Sequence, residues 1–432
     1  MLTTLRNAWK IPELRKKLLF TLFVLLIYRL GNAVPVPYVD VTILTNYFNS
    51  ELSNTVLGLY NAMSGSAFSQ ATVFALSIQP YINASIIIQL LTIAIPALER
   101  LSKEGGEEGR RKINKITRYV TVGLGLLMGY AYYLMLRNAN TGLNAGLLTE
   151  SGFLPGLVIV ISFTAGSAFV MWLGEQINEF GIGNGISIIL FANIISRIPY
   201  QISTMITNLI GGALKWYAAL GLLAGVLLLI VFIVFITNSE RRSPVQYAKC
   251  VVGRKMSGGQ STHLPIKVNM SGVLPIIFAQ SIASLPATIA AFTGNATSDS
   301  WWYVHVFSNQ SVIYAVCYFL LIIAFSYFYA AVQYNPVEIA NNLKKNGGFI
   351  PGFRPGRPTA DFIAKVINKI TFFGAIYLAI VAILPIVVGN IIGISSLAIG
   401  GTSVIIVVGV ALETMTALEA QMMMRHYKGF LE

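Results

Sequence analysis

Charged residues are scarce in this chain, making up 11% of its 432 residues, while hydrophobic residues make up 55%. An ordinary soluble domain carries about 25% charged residues. The apolar surface is therefore too large for one aqueous core, and we expect lipid to solvate much of it.

Reactive side chains are also few. The two cysteines, Cys250 and Cys317, fall in a predicted loop and a predicted span, so they support neither a disulfide nor a metal site. No GxSxG or HExxH motif occurs, and the three histidines lie in loops or the tail, at His263, His305 and His426. The sequence predicts a protein that is not an enzyme and has no catalytic residues, no cofactor and no metal.

Charge is nearly absent from the apolar runs themselves, where only Arg29 and Glu413 are clearly ionisable and both lie towards helix ends. A charge inside a membrane is costly and is retained mostly where function needs it. This shortage argues against ion-coupled transport. A secondary transporter of small solutes built on inverted repeats is the competing interpretation.

The basic residues that do occur are strongly clustered. Of 30 Lys and Arg residues, 26 fall in five segments: the N-terminus, 100–118, 241–267, 344–369 and the tail. The positive-inside bias assigns all five segments to the cytoplasmic side of the membrane. Because these residues serve orientation and docking, we expect no direct nucleic-acid substrate.

Apolar runs of spanning length predict an all-α polytopic membrane protein with ten transmembrane helices and both termini cytoplasmic. The predicted spans are 18–37, 72–96, 117–137, 153–173, 184–200, 213–236, 271–292, 311–331, 363–388 and 396–417. We expect the ten spans to form two inverted five-helix halves, residues 1–200 and 201–432. One connection does not fit the charge pattern. It contains Glu175 and Glu179 and has no basic residue nearby in the sequence.

The outer segment from Val39 to Gln70 has no basic residue and contains a run of small residues before the second span. It is apolar enough to be buried but too short to cross a membrane. Two interpretations stay open: an ordinary extracellular loop, or a re-entrant segment buried in protein.

Two long basic loops, 237–270 and 332–362, also contain glycine, proline and aromatic residues. Charge for orientation alone would need only short loops, so their length favours a docking surface for a partner. The candidate docking residues are Arg241, Arg242, Lys249, Arg254, Lys255, Arg354 and Arg357, with Lys344 and Lys345 beside them.

Six motifs across the chain agree in order and spacing with one known family. They are FALSIQPYINASIIIQLL (Phe74 to Leu91), KEGGEEGRRKI (Lys103 to Ile113), LGEQINEFGIGNGISI (Leu173 to Ile188), GGQSTHLPIKVNMSGVLPIIFA (Gly258 to Ala279), FIPGFRPGRPT (Phe349 to Thr359) and an ending around MMMRHYKGF. The chain thereby resembles the SecY family, the channel-forming subunits of bacterial protein translocases. The resemblance covers essentially the whole chain.

The resemblance implies two halves clamped around an hourglass pore, through which unfolded secretory polypeptides cross the membrane and membrane-protein helices leave sideways into lipid. It implies a plug near 61–72, at the start of the second span, that includes Asn61, Ser64, Gly65, Ser66, Ala67 and Phe68. It implies an aliphatic pore ring at Ile78, Ile82, Leu190, Ile277 and Ile406. Taken singly, each of these ring residues is an ordinary core residue.

Between the second and third helices on one side and the seventh and eighth on the other, the resemblance implies a lateral gate. We expect Asn83 and Gln280 to make a polar contact there, for which ordinary interhelical hydrogen bonding is the alternative. Arg354 matches the arginine on which the family relies for its motor.

The implied partners are SecE and SecG subunits, the SecA ATPase or a translating ribosome that supplies the energy, signal-bearing precursor polypeptides and membrane lipids. ATP hydrolysis belongs to the motor. The chain departs from the common family pattern at Gln79, Ser243, Cys250 and Ser257, where Met, Ile, Arg and Tyr are usual. We expect Gln79, beside the ring, to loosen the closed state.

Overall fold

The structure is a computed structural model that describes residues 2–48, 56–103, 105–143, 146–150, 152–212, 216–247, 250–252, 255–257, 261–270, 272–292, 311–392 and 395–428. In the first half of the chain the helices are α1 (Leu2–Lys10), α2 (Pro12–Gly31), α3 (Val41–Tyr47), α4 (Val56–Met63), α5 (Gln79–Ala94), α6 (Pro96–Lys103), α7 (Gly106–Leu143), α8 (Phe153–Phe180) and α9 (Gly185–Ile210). The second half contains α10 (Trp216–Thr237), α11 (Leu274–Phe292), α12 (Val312–Gln333), α13 (Pro336–Lys345), α14 (Arg357–Ile392) and α15 (Ser395–Lys428). The strands are β1 (Glu240–Tyr247), β2 (Cys250–Val252), β3 (Lys255–Ser257), β4 (Ser261–Lys267) and β5 (Gly348–Phe349).

Each of the ten predicted spans overlaps a helix, which confirms a mainly helical, multi-pass membrane protein. Within the described ranges, seven helices are long and apolar enough to cross a bilayer, or eight if α5 and α6, bent by 106° where they meet, form one span. Two other predicted spans are not among these helices: α2 begins in a basic segment, and Leu274–Pro286 of α11 is a shorter apolar helix. The total of ten stays a prediction.

The second predicted span begins later than expected, at Gln79 rather than near residue 72. Residues 64–78 form successive turns instead of helix. Ser66, Ala71 and Ser77 have φ angles of 73°, 43° and 49°. This left-handed backbone is rare for residues with a Cβ and interrupts a right-handed helix.

One large buried cluster occupies the centre of the helical bundle and includes residues of α2, α4, α5, α7, α8, α9, α11, α12, α14 and α15. Residues 64–78 lie close to α8, and a glycine of α8 makes this close approach possible. A Cβ on Gly166 would collide with the carbonyl oxygen of Val73. Only glycine lets the backbones of α8 and residues 64–78 approach each other this closely.

The predicted basic loops contain five strands that an all-α expectation does not include. β1 pairs in antiparallel fashion with β4 and also with β5, which gives a sheet of order β4-β1-β5. Because β1 and β4 belong to loop 237–270 and β5 to loop 332–362, one sheet joins the two loops. A separate apolar cluster beneath it includes Val245, Ile266, Leu343, Ile350 and Ile363.

The structure places Glu175 and Glu179 in the last turns of α8, and a salt bridge compensates the charge of Glu175. Arg118 Nε of α7 lies 2.9 Å from Glu175 Oε1 of α8. The compensating charge is thus supplied by the neighbouring helix, from the basic segment 100–118, and not by nearby sequence.

Candidate functional site

The five predicted ring residues lie in the central buried cluster. They are Ile78, Ile82, Leu190, Ile277 and Ile406. Each is at most 2% exposed. They come from the turn before α5, from α5 itself, and from α9, α11 and α15. All five therefore belong to one large buried cluster, to which both halves of the chain contribute.

The predicted plug segment is buried against this centre, as a re-entrant segment would be. Its helix is α4, which packs against α9, α11 and α15. The helix ends at Met63, earlier than the bounds near 61–72 predict. Of the predicted plug residues, only Asn61 is helical, and Ser64, Gly65, Ser66, Ala67 and Phe68 lie in the following turns.

Hydrogen bonds within the plug segment hold these turns together. Asn61 Oδ1 accepts from the backbone N–H of Ser69 at 3.0 Å, and Ser64 Oγ accepts from that of Phe68 at 3.1 Å. The Tyr132 hydroxyl of α7 donates to the Phe68 carbonyl at 2.6 Å. The Phe68 ring also meets the Tyr132 ring edge-on, with centroids 4.6 Å apart. Small side chains at the other positions permit this close packing.

Helix α11 also contacts the predicted plug segment through polar groups. The hydroxyl oxygens of Tyr60 on α4 and Ser284 on α11 are 2.9 Å apart. Gln280 Nε2 lies 3.3 Å from Met63 Sδ. Neither Tyr60 nor Ser284 is predicted from the sequence, because their types and positions are ordinary for a packed span.

The expected polar contact between Asn83 and Gln280 is not formed. The nearest polar partner of Asn83 Nδ2 is Met128 Sδ of α7 at 4.0 Å, and Gln280 faces the plug. A different pair bridges α5 and α11: Gln79 Nε2 donates to Ser281 Oγ at 3.0 Å. Gln79, which we expected to loosen the closed state, thus makes a direct hydrogen bond across the predicted gate.

Arg29 and Glu413, which the sequence marks as clearly ionisable within the apolar runs, both lie near backbone at a structural junction. Arg29 Nη1 lies 3.3 Å from where a Cβ on Gly65 would be, so its guanidinium faces the plug turn. Glu413 of α15 lies against Gly272 and Val273, at the start of α11. A carboxylate is favourable at a helix N-terminus, where backbone N–H groups lack partners.

Four of the predicted docking residues are exposed: Arg241, Arg242, Arg354 and Arg357. Arg241 and Arg242 are exposed on β1, and Arg242 Nε is 2.7 Å from Glu240 Oε1. Lys249 and Arg254 lie outside the described residues, and Lys255 is placed in β3. Cys250 and Ser257, which depart from the family pattern, face each other in the β2–β3 register, and Ser243 is buried in β1 opposite Leu264.

A tight turn presents Arg354 and Arg357 between β5 and α14. The Arg354 carbonyl accepts from Thr359 Oγ1 at 2.8 Å, and the Phe353 ring packs on Phe362 with centroids 4.3 Å apart. Arg354 is exposed in the turn, and Arg357 lies at the start of α14. The backbone of the turn is thereby fixed while the Arg354 guanidinium remains accessible.

Comparison with known proteins places these features in one family. The family model described as SecY matches residues 72–415. Protein translocase subunit SecY of Streptomyces galbus and that of Bacillus subtilis (strain 168) are each 43% identical to this chain over 440 residues, with 100% of both chains covered.

Solved structures share the fold at lower sequence identity. One described as "The structure of a protein conducting channel" has a TM-score of 0.67 at 17% identity, covering 94% of this chain and 92% of that chain. Sec61 in the canine ribosome-channel complex from the endoplasmic reticulum has a TM-score of 0.63 at 16% identity, with the same coverage. Given the family match and the full-length relatives, this chain belongs to the SecY family.

Proposed function

We propose that this chain is the channel-forming subunit of a protein translocase, passing unfolded secretory polypeptides across the membrane and releasing membrane-protein helices sideways into lipid. The observation that carries the proposal is the buried aliphatic centre built from α5, α9, α11 and α15. The full-length relatives, which are named as protein translocase subunits, support it.

A ring of aliphatic side chains suits a path for polypeptides. A narrow apolar constriction dewets and so blocks ions. The same flexible side chains can part around any sequence, because they form no specific hydrogen bonds with it. Ile78, Ile82, Leu190, Ile277 and Ile406 act as this ring in our proposal.

The plug and the lateral gate complete the closed channel in this proposal. The segment from α4 through residue 72 fills the space beside the ring. The gate runs between α5 and α7 on one side and α11 and α12 on the other, and α11 contacts both α5 and α7. The Gln79–Ser281 bond and the plug contacts of Gln280 stabilise the closed state.

The sheet β4-β1-β5 and the turn at Arg354 form the docking surface for a driving partner. An exposed guanidinium can bind a carboxylate with two hydrogen bonds, which suits contact with a protein surface. The partner is the SecA ATPase or a translating ribosome, and ATP hydrolysis belongs to the motor. Two structural neighbours, Sec61 from canine endoplasmic reticulum and yeast Ssh1, were solved with ribosomes.

The remaining parts of the proposal follow from charge and family. The chain lies in a bacterial cell membrane, and its basic loops and both termini face the cytoplasm. Residues 1–200 and 201–432 are the two halves, which a SecE subunit clamps, and a SecG subunit accompanies them.

Reconstitution in liposomes tests this function. The purified channel complex is mixed with a signal-bearing precursor, SecA and ATP, and protease-protected precursor is measured. We expect protection that requires the signal, SecA and ATP together. Gradient-driven uptake of a small solute, with no protected precursor, would contradict the proposal and favour a secondary transporter.

A further inference from the structure

Asn193 of α9 lies at the junction of four segments and is completely buried. Its side-chain amide nitrogen donates to the Tyr28 hydroxyl of α2 at 2.8 Å and to the Met63 carbonyl of α4 at 2.8 Å. Ser77 Oγ, just before α5, lies 3.3 Å from the same nitrogen. One amide group thus joins α2, α4, α9 and the turn that leads into α5.

The bond to Met63 occurs at the last residue of the plug helix. Carbonyl groups in the last turn of a helix have no partner within the helix. Asn193 supplies a donor to one of them in a fully buried place, where an unsatisfied carbonyl is costly. The plug helix therefore ends where the Asn193 amide meets it.

The surrounding groups keep Asn193 in position. The Tyr28 hydroxyl lies 3.1 Å from Ser77 Oγ, and the Tyr28 ring stacks on Phe74 with centroids 5.5 Å apart. On the other side, Asn193 Oδ1 and the Asn193 carbonyl lie 3.2 and 3.3 Å from where a Cβ on Gly65 would be. Tyr28, Ser77 and Gly65 leave the amide little room to turn.

All partners of the Asn193 amide belong to the first half of the chain. The plug contacts made by Ser284 and Gln280 instead come from α11, across the seam between α5 and α11. Separation of α5 from α11 would break the contacts of α11 with the plug. It would leave the contact of Asn193 with Met63 intact.

We infer that Asn193 is a positioning residue that latches the closed plug to the first half of the channel. Opening then takes two steps: the seam parts first, and the plug leaves only when the Asn193–Met63 bond breaks. This inference rests on the proposed function, because a latch has meaning only if the segment is a plug.

The test measures the ion leak of the resting channel complex in liposomes, together with translocation of precursors that carry intact or defective signals. Loss of the amide bonds in Asn193→Ala should raise the resting leak about tenfold. It should also admit precursors with defective signals, while translocation of the intact precursor is retained. The matched control is Asn208→Ala, the same change at an exposed position of the same helix, and it should leave the leak unchanged.

A second variant keeps the test decisive if Asn193→Ala fails to fold. Tyr28→Phe removes one hydroxyl and keeps the ring, so the leak should rise about threefold. A merely structural defect would instead lower translocation of the intact precursor without raising the leak. If the wild-type channel translocates and neither folded variant leaks more than wild type, the latch is wrong and the proposed function stands. A wild-type channel that translocates nothing would overturn the proposed function, and the latch with it.

Discussion

At the scale of single residues, a few buried amides and hydroxyls join segments of an otherwise apolar interior. Gln79 donates to Ser281 across the predicted gate, and Tyr60 of α4 lies within hydrogen-bond distance of Ser284 of α11. Measured hydrogen bonds between membrane helices average about 0.6 kcal/mol. Contacts this weak can hold a gate shut and still yield to an arriving polypeptide segment.

The Gln79–Ser281 bond makes a prediction for a single substitution. Gln79→Met restores the residue common in the family and removes the donor, so the gate should open about threefold more often, as expected for about 0.6 kcal/mol. The measurement is translocation of precursors with defective signals. Ser281→Ala should have a similar effect, because it removes the acceptor.

Combining the two changes distinguishes a shared bond from two separate effects. The double variant should translocate such precursors no faster than either single variant. Effects that multiply in the double variant would show that Gln79 and Ser281 act independently, contrary to this assignment.

The gate contacts also mark a limit of prediction from sequence. Gln280 and Ser281 are adjacent, yet Gln280 faces the plug and Ser281 faces α5. Successive residues of a helix point about 100° apart, so which one meets a neighbouring helix depends on the rotation of the helix in the bundle. The family motif locates the helix but not its rotation. The prediction of the aliphatic ring depends less on the rotation of each helix, because all of its members have aliphatic side chains.

At the scale of elements, the turn-rich segment between α4 and α5 shapes the centre of the molecule. Its left-handed residues are Ser66, Ala71 and Ser77, as well as Gly65. Of these, only the glycine is a residue type that signals such a backbone. The sequence therefore predicts a buried segment here but places the helix boundaries wrongly.

Close packing of α8 on this segment predicts the effect of one methyl group. Gly166→Ala would force its Cβ against the Val73 carbonyl, so the free energy of unfolding should fall by about 1–3 kcal/mol. Thermal unfolding of the purified protein in detergent measures the change.

Gly123→Ala on α7 is the matched control, because no atom lies within 4 Å of a Cβ added there. Alanine is the better helix former, so this variant should be as stable as wild type or slightly more stable. Equal stability of the two alanine variants would contradict the close approach of α8 to Val73.

The loop sheet and its turn give a prediction at the same scale. Arg354→Glu places a carboxylate on the exposed turn that we propose as the motor contact, so SecA-driven export should be abolished while the channel still inserts into membranes. Precursor protection in vesicles measures export, and the amount of channel in the membrane fraction measures insertion.

The control carries the same change of charge away from the sheet. Lys112→Glu alters an exposed residue of α7 whose ion pair with Glu108 is also exposed. Surface pairs of this kind contribute little, so export should stay near wild type. Normal export with Arg354→Glu would overturn the docking assignment.

At the scale of the whole molecule, the distribution of charge predicts most of the architecture. The basic segments delimit the apolar runs, and every predicted span overlaps a helix. Two features could not be predicted from the sequence, because they depend on contacts between distant residues. Arg118 pairs with Glu175 across α7 and α8, and β5 joins β1 to unite loops that are far apart in sequence.

Site-specific crosslinking of a translocating precursor tests the central claim that polypeptides pass through the aliphatic centre. A photoreactive residue is placed at Ile82 or Ile277, and a precursor is arrested during transport. Control positions are Leu227 on α10 and Leu320 on α12, which are 55% and 60% exposed on the outside of the bundle. We predict strong crosslinks at Ile82 and Ile277 and weak ones at the controls. Crosslinks at other positions with none at Ile82 and Ile277 would contradict the channel assignment.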